Sequence, residues 1–205
     1  MKKIIYLLLL ATTILNAQDD SFKRLSLSAN LNTSIAIGDN FLNKGYSNKN
    51  GFDVEAQFYI ISHVFIGFHS RTVDLTLKNA DLIGNFNNAK VVTDLYFIGY
   101  KHNVAPKMYM EHRFGSGSRM ITNYSNLSEY AVTGKSYLVG SRFDYYIQPE
   151  LAVYAGLDFA ITNYDVQLSG PYKDFYNKSY DLSPMLGIRF SFWTAENKSK
   201  NNEKQ

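Results

Sequence analysis

The sequence contains no cysteine and only four prolines among its 205 residues. Without cysteine there is no disulfide framework, no thiolate metal site and no cysteine nucleophile. A large excess of one charge is also lacking, because the formal net charge of +3 is too small and too dispersed to indicate a nucleic-acid-binding protein. Aromatic residues make up 15% of the chain, which excludes a mostly disordered protein, and the length favours one domain.

Long apolar runs are missing as well. Beyond the first residues, no stretch of 18 apolar residues occurs, so the sequence predicts no transmembrane helix. The mean hydropathy of −0.23 is low for a helical membrane protein. A membrane β-barrel is apolar only at alternate residues, and its mean hydropathy stays near zero, so this class is not excluded.

The first 17 residues have the layout of a secretory signal peptide. Lys2 and Lys3 form a basic start, an apolar run follows from Ile4 to Leu10, and Ala17 supplies a small residue at the predicted cleavage site. The apolar run is too short to span a membrane comfortably. The sequence therefore predicts a cleaved signal peptide over 1–17, a barrel domain over 18–193 and a disordered polar tail over 194–205.

Alternation of apolar and polar residues, which is typical of strands, occurs eight times in the mature chain. In the first segment Leu25, Leu27, Ala29 and Leu31 share one face, and serines and asparagines share the other. The predicted strands are 24–37, 51–61, 64–74, 91–102, 107–115, 135–147, 151–163 and 181–193.

The connections between these strands alternate between short and long. The long loops are predicted at 38–50, 75–90, 116–134 and 164–180. Short turns at one end and long loops at the other are typical of outer-membrane barrels. The sequence therefore predicts an all-β protein: an eight-stranded antiparallel up-and-down transmembrane β-barrel with short periplasmic turns and long extracellular loops.

Each predicted strand has one face without a full charge. On this face the residues expected to contact lipid include Phe58, Phe68, Phe97, Phe143, Phe159 and Phe190. A soluble lipocalin-like ligand carrier has the same strand count but turns its apolar face inward. Periodicity alone leaves both orientations open.

The distribution of arginine favours charges in the interior. Five of the six arginines lie on polar strand faces, whereas Lys107 is the one lysine expected there. Arginine suits a closed interior because its planar fork pairs with carboxylates in a confined space. The residues predicted to form an interior charge network are Glu55, His69, Arg71, Asp94, Glu111, Arg113, Arg142, Asp144, Asp158 and Arg189.

With these features, residues 24–193 resemble the small eight-stranded outer-membrane barrels of the OmpA/OmpX-like family. The last strand ends in Phe190, Phe192 and Trp193, which resembles the family's closing-strand signal. The resemblance implies outer-membrane localisation, contact with lipid and lipopolysaccharide, and recognition by the barrel insertion machinery. The chain departs from the family pattern because a polar tail follows the closing aromatic residue.

No catalytic, metal or cofactor site is predicted. The four histidines lie on different elements without ligand spacing. The expected function is a non-enzymatic integral outer-membrane barrel with a plugged interior and an envelope-structural or surface-loop binding role, whose extracellular ligand is unknown. The alternatives are a soluble ligand carrier, a narrow channel, or a lipid A-modifying enzyme that would use His112, expected near the loop end, with Ser116 or Ser118.

Overall fold

The computed structural model describes residues 21–126, 128–167, 170 and 172–196. The predicted signal peptide, 1–17, and residues 197–205 of the predicted tail lie outside the described residues. The strands are β1 (Ser21–Thr33), β2 (Ile35–Ile37), β3 (Tyr46–Tyr59), β4 (Val64–Leu77), β5 (Asn88–Ala105), β6 (Met108–Tyr124), β7 (Glu129–Tyr146), β8 (Leu151–Tyr164) and β9 (Lys178–Glu196). Three short helices lie in the connections: α1 (Phe41–Gly45), α2 (Ala80–Ile83) and α3 (Lys173–Asn177).

The strands form one closed antiparallel sheet. β1 pairs with β3, each strand from β3 to β8 pairs with the next one, and β1 and β2 pair with β9 to close the cylinder. β1 and β2 are successive parts of one wall strand, interrupted at Ser34, so the wall has eight strands. The predicted fold class is confirmed.

Within the described residues, none of the helices is long and apolar enough to cross a membrane.

The wall is polar inside and apolar outside. On β1, Ser26 and Asn30 are buried, whereas Leu27 and Leu31 are 49% and 67% exposed. A soluble carrier requires the opposite arrangement, because its apolar residues must surround the ligand. The interior of the cylinder is called the lumen below.

The connections at the loop end are shorter than predicted. β6 and β7 continue through most of the predicted loop 116–134, since β6 ends at Tyr124 and β7 begins at Glu129. Ser116, Gly117 and Ser118, at the start of the predicted loop, lie within β6. Small and polar residues signal a turn in most contexts, but here backbone pairing with β5 and β7 outweighs that preference. At the other end of the chain, β9 extends to Glu196, three residues into the predicted tail.

The face assignment of β5 was wrong. Asp94, predicted in the lumen, lies on the outer face and accepts a hydrogen bond from Ser70 Oγ at 2.7 Å. Phe97, predicted to face lipid, is 5% exposed inside the lumen. The lumen is apolar at this level, because Phe97 packs there against Phe65 with ring centroids 6.1 Å apart. Choosing the more apolar face of β5 as the outer one therefore exchanged all of its side chains, since alternate residues of a strand point to opposite faces.

Candidate functional site: the lumen and its two ends

The lumen contains a balanced set of charges. Among the described residues, six carboxylates and six cationic side chains are buried there. They are Asp53, Glu55, Glu111, Asp144, Asp158, Asp181, Arg71, Lys101, Arg113, Arg119, Arg142 and Arg189. Equal numbers matter because an unpaired charge in a closed interior costs several kcal/mol.

Glu55 is the centre of the network. Arg142 donates to both of its carboxylate oxygens, at 2.7 and 2.6 Å, and Arg113 donates to Oε2. Gln57 Nε2 adds a hydrogen bond to Oε1 at 2.8 Å. Bidentate pairing of this kind is among the strongest polar contacts in proteins. Glu55 therefore holds β3, β6 and β7 together across the lumen.

The network continues toward the loop end through Asp158. Arg113 and Arg71 both donate to this carboxylate, at 2.5 and 2.9 Å, and Arg71 also binds Asp53 at 2.9 Å. A glycine makes this packing possible, because a Cβ at Gly140 would lie 2.1 Å from Asp158 Oδ1.

Toward the tight turns the network passes through Arg189. Its Nη1 donates to Glu111 at 2.6 Å and to Asp144 at 2.5 Å. Lys101 Nζ then donates to Asp144 at 2.6 Å and to the Tyr146 hydroxyl at 2.9 Å. These contacts link charges on four strands, β5, β6, β7 and β9, into one connected chain.

A further pair lies nearer the loop end. Arg119 donates to Asp181, and Ser34 Oγ donates to the same carboxylate at 3.1 Å. Neither Arg119 nor Lys101 was included in the predicted network. Arg119 was missed because it lies in the segment interpreted as a loop, and Lys101 because it shares a face with Phe97, which was predicted to contact lipid.

The structure places nine of the ten predicted network residues inside the lumen, and Asp94 outside. His69 is buried beside Asp53, with Nε2 3.7 Å from Oδ2, and neither of its ring nitrogens has a hydrogen-bond partner among the described protein atoms. Lys107, also expected inside, is exposed at a tight turn with φ of 63°.

The other predicted lipid-facing residues lie on the outer wall. Phe58, Phe68, Phe143 and Phe190 are 36–51% exposed, and Phe159 is half-buried on the same surface. Phe190 and Phe192 of the predicted closing signal pack together with ring centroids 5.8 Å apart. Trp193 lies in β9, but its side chain is outside the described part of the chain.

The loop end of the lumen is covered by an apolar layer. α1 begins after Asn40, whose side chain accepts from the Asn43 amide at 3.0 Å, and it places Phe41 and Leu42 inside the barrel mouth. The Phe41 ring contacts Tyr164 edge-on at 5.2 Å. Residues packed in this layer include Val73, Leu75, Val91 and Ile121.

The tight-turn end of the lumen is open to a cavity of about 400 Å³. Its lining includes Lys23, Tyr59, Lys101, Tyr109 and Tyr146. The Lys101 ammonium lies 4.8 Å from the Tyr146 ring centroid and 5.2 Å from that of Tyr109. Because Lys101 is already bound to Asp144, the cavity ends at the charge network.

One histidine and one serine lie in contact on the outer wall. His112 Nδ1 and Ser141 Oγ are 2.9 Å apart, and the two residues are directly opposite partners on β6 and β7. His112 lies near the tight-turn end of β6, contrary to the expectation that it lies near the loops. Ser116 and Ser118 lie on β6 beyond it rather than in a loop. No group of three or more potential metal ligands occurs among the described residues.

No protein-family model matches the sequence, and no curated protein sequence matches it either. Solved structures are similar in fold. Ail, the attachment invasion locus protein of Yersinia pestis, has 12% identity and a TM-score of 0.54, with 83% of this chain and 99% of Ail covered. Neisserial surface protein A has 11% identity and a TM-score of 0.60, with 82% of this chain and 97% of that protein covered. The fold is that of the small eight-stranded outer-membrane β-barrels.

Proposed function

We propose that this chain is an integral outer-membrane β-barrel with a closed lumen, which acts as a structural or surface-binding element of the envelope and not as an enzyme. The observation that carries the proposal is the polarity of the wall. Buried ion pairs fill the inside, and large apolar side chains cover the outside. Hydrocarbon is the solvent that such an outer surface requires.

Two features support a closed lumen, one in the middle of the barrel and one at its loop end. Side-chain pairs between opposite walls, such as Glu55 with Arg142, cross the middle. The layer around Phe41 and Leu42 then covers the loop end. A barrel of eight strands has an interior that side chains just fill. We infer that ions do not pass at a steady rate.

The non-enzymatic role is supported by the setting of His112 and Ser141. Both belong to a continuous sheet whose neighbouring backbone amides are paired with adjacent strands. A serine nucleophile needs free donors for the oxyanion and a third group to orient the histidine. The hydrogen bond is explained as a cross-strand contact that satisfies two polar groups on an apolar wall.

Outer-membrane lipid and lipopolysaccharide are the proposed surroundings, and Phe190, Phe192 and Trp193 are the proposed recognition signal for the insertion machinery. Surface binding has support from a structural neighbour, since Ail has been solved in complex with the heparin analogue sucrose octasulfate. This support is an analogy based on the shared fold, because binding specificity resides in loops that differ between barrels.

Cysteine labelling tests the proposal directly, because the chain has no cysteine of its own. Tyr124→Cys in whole cells is expected to react with a membrane-impermeant maleimide, and Phe58→Cys only with a lipid-soluble one. Ser136→Cys, buried in the lumen, is expected to react only after unfolding. Reaction of Phe58→Cys with the impermeant reagent would favour the soluble carrier, and steady conductance in planar bilayers would contradict the closed lumen.

The corrected face of β5 gives a second test. Ile98→Arg is expected to lower the free energy of unfolding by about 2–4 kcal/mol, because Ile98 lies on the outer face, where hydrocarbon surrounds it near the midplane. The matched control is Asn163→Arg, an outward position near the loop end, with an expected cost of about 0–1 kcal/mol. Urea titration of the protein in lipid vesicles measures both. Equal costs would contradict the placement of the membrane.

A further inference from the structure

One acidic and one basic side chain on the outer wall have no ion-pair partner in the described part of the chain. Asp94 on β5 accepts a hydrogen bond from Ser70, and Lys135 Nζ on β7 lies 5.3 Å from the centroid of the Tyr137 ring. Every carboxylate buried in the lumen, by contrast, takes part in an ion pair. Unpaired charges on a lipid-facing wall are costly, so they indicate a place where a partner binds.

Ser118 lies between the two charged residues. It is directly opposite Asp94 on β5 and directly opposite Lys135 on β7. The acid and the base are therefore two strand spacings apart, about 10 Å, on either side of β6.

The two charged groups lie at about the same height because the strands are tilted. When the pairing is followed from Lys135 through Asp94 and around the barrel, it returns to β7 at Tyr145, ten residues nearer the tight turns. With a strand tilt of about 40°, Asp94 is about 6 Å nearer the tight turns than the backbone of Lys135. This is the level of Tyr137, and the Lys135 ammonium already lies beside that ring.

A groove of about 580 Å³ lies in the wall next to Asp94, on its tight-turn side. Its lining includes Phe58, Ile66, Tyr96, Ile98, Phe114 and Ser116. Ser116 and Ser118 are the outward residues of β6 here, and small residues allow two walls to approach closely. On the other side of β6, at about the height of the groove, Val139 is 54% exposed.

We propose that a second copy of this chain binds to this face, with a two-fold axis at Ser118. The axis is parallel to the membrane normal, because both copies have their loops on the same side of the membrane. A half-turn about it exchanges β5 with β7, so Asp94 of each copy pairs with Lys135 of the other. The same half-turn places Val139 of each copy at the groove of the other. The proposal rests on the proposed membrane location and goes beyond it by naming the partner and the contacts.

Charge complementarity favours a second copy over lipid. A lipid phosphate can pair with Lys135 but repels the carboxylate of Asp94. A second copy supplies a base to the acid and an acid to the base at the same spacing. The patch is thus complementary to itself, which is what an interface between two identical subunits requires.

Disulfide cross-linking of the full barrel in lipid vesicles tests the contact, because the chain has no cysteine of its own. Ser118→Cys is expected to form a covalent dimer when it is oxidised with copper phenanthroline, which enters lipid. The matched control is Thr33→Cys, which also points outward near the loop end of its strand and is expected to form little dimer. Thr33 is on β1, four strands from β6 in either direction around the barrel.

Exchange of the two charges tests the pairing. In the Ser118→Cys background, Asp94→Lys and Lys135→Asp are each expected to lower the cross-linked fraction at least about tenfold, because like charges then meet at both contacts. Both substitutions together restore opposite charges and are expected to restore cross-linking. Gel mobility without heating shows whether each variant is folded. Asp94→Asn replaces Asp94→Lys if the added lysine prevents insertion, and it is also expected to lower the fraction.

Cross-linking of Ser118→Cys that is lost in the single exchanges and regained in the double exchange supports the proposal. Equal cross-linking of Ser118→Cys and Thr33→Cys indicates random collision and overturns it, as does a double exchange that stays monomeric. Cross-linking of Ser118→Cys to a different protein in whole cells, without dimers in vesicles, overturns the second copy as partner. A barrel that inserts only as a monomer overturns the dimer and leaves the proposed function standing, whereas failure to insert overturns both.

Discussion

Glu55→Gln is expected to lower the free energy of unfolding by about 3–5 kcal/mol, the range observed when one partner of a buried ion pair is removed. The substitution keeps the size of the side chain and removes its charge. Arg113 and Arg142 are fully buried, and Arg142 pairs with Glu55, whereas Arg113 pairs with both Glu55 and Asp158. Urea titration in lipid vesicles, followed by gel mobility without heating, measures the loss.

Two controls separate charge pairing from general damage to the barrel. Glu150→Gln removes a carboxylate that binds Lys23 at 3.1 Å in a half-exposed setting, and it is expected to cost at most about 1 kcal/mol. Adding Arg142→Gln to Glu55→Gln removes the cation that has lost its carboxylate partner and is expected to recover part of the stability. Two results would show that balanced charges in the lumen are not the source of stability. One is an equal loss of unfolding free energy in Glu55→Gln and Glu150→Gln. The other is a loss in the double variant equal to the sum of the losses in Glu55→Gln and Arg142→Gln.

Phe65→Ala is expected to cost about 3–5 kcal/mol, because it leaves a void in the lumen that no lipid can fill. Phe65 is fully buried, with ring centroids 5.2 Å from Tyr59 and 6.1 Å from Phe97. Its ring occupies the space beside Gly99, where a Cβ would lie only 2.1 Å from Cζ. The same unfolding titration measures the effect.

The matched variant is Phe65→Met, which keeps a hydrophobic side chain of similar size and is expected to cost less than about 1.5 kcal/mol. A loss as large as that of Phe65→Ala would mean that the ring itself, and not the filled volume, is required. A loss near zero for Phe65→Ala would place Phe65 in contact with solvent or lipid.

Alternation and connection length were sufficient to predict the closed barrel and most of its lumen. Strands such as β1 have one face of serine and asparagine and one of leucine. The alternation of residues therefore predicts which face points into the lumen and which points outward. The arginines Arg71, Arg113, Arg142 and Arg189 followed from the same alternation, and the structure pairs all four with carboxylates.

β5 shows where this reasoning fails. Its two faces are nearly equally apolar, and its most visible charge in the middle, Asp94, lies outside. The slightly more apolar of the two faces, with Val91, Leu95 and Phe97, points into the lumen, and alternation alone does not show this. Neighbouring strands decide it, because Phe97 packs against Phe65 and Lys101 reaches Asp144 only in the observed register. Tertiary contacts of this kind cannot be read from one strand alone.

The seam between β1 and β9 constrains the order in which the molecule is made. Pairs run from Ser21 with Glu196 to Asn32 with Met185, so the first strand must wait for the last. A nascent chain that lacks β9 exposes two unpaired strand edges, which are templates for aggregation. The barrel therefore cannot close while the chain is still being synthesised. The unfolded precursor must be kept from contact with other copies of itself until β9 is available to pair with β1.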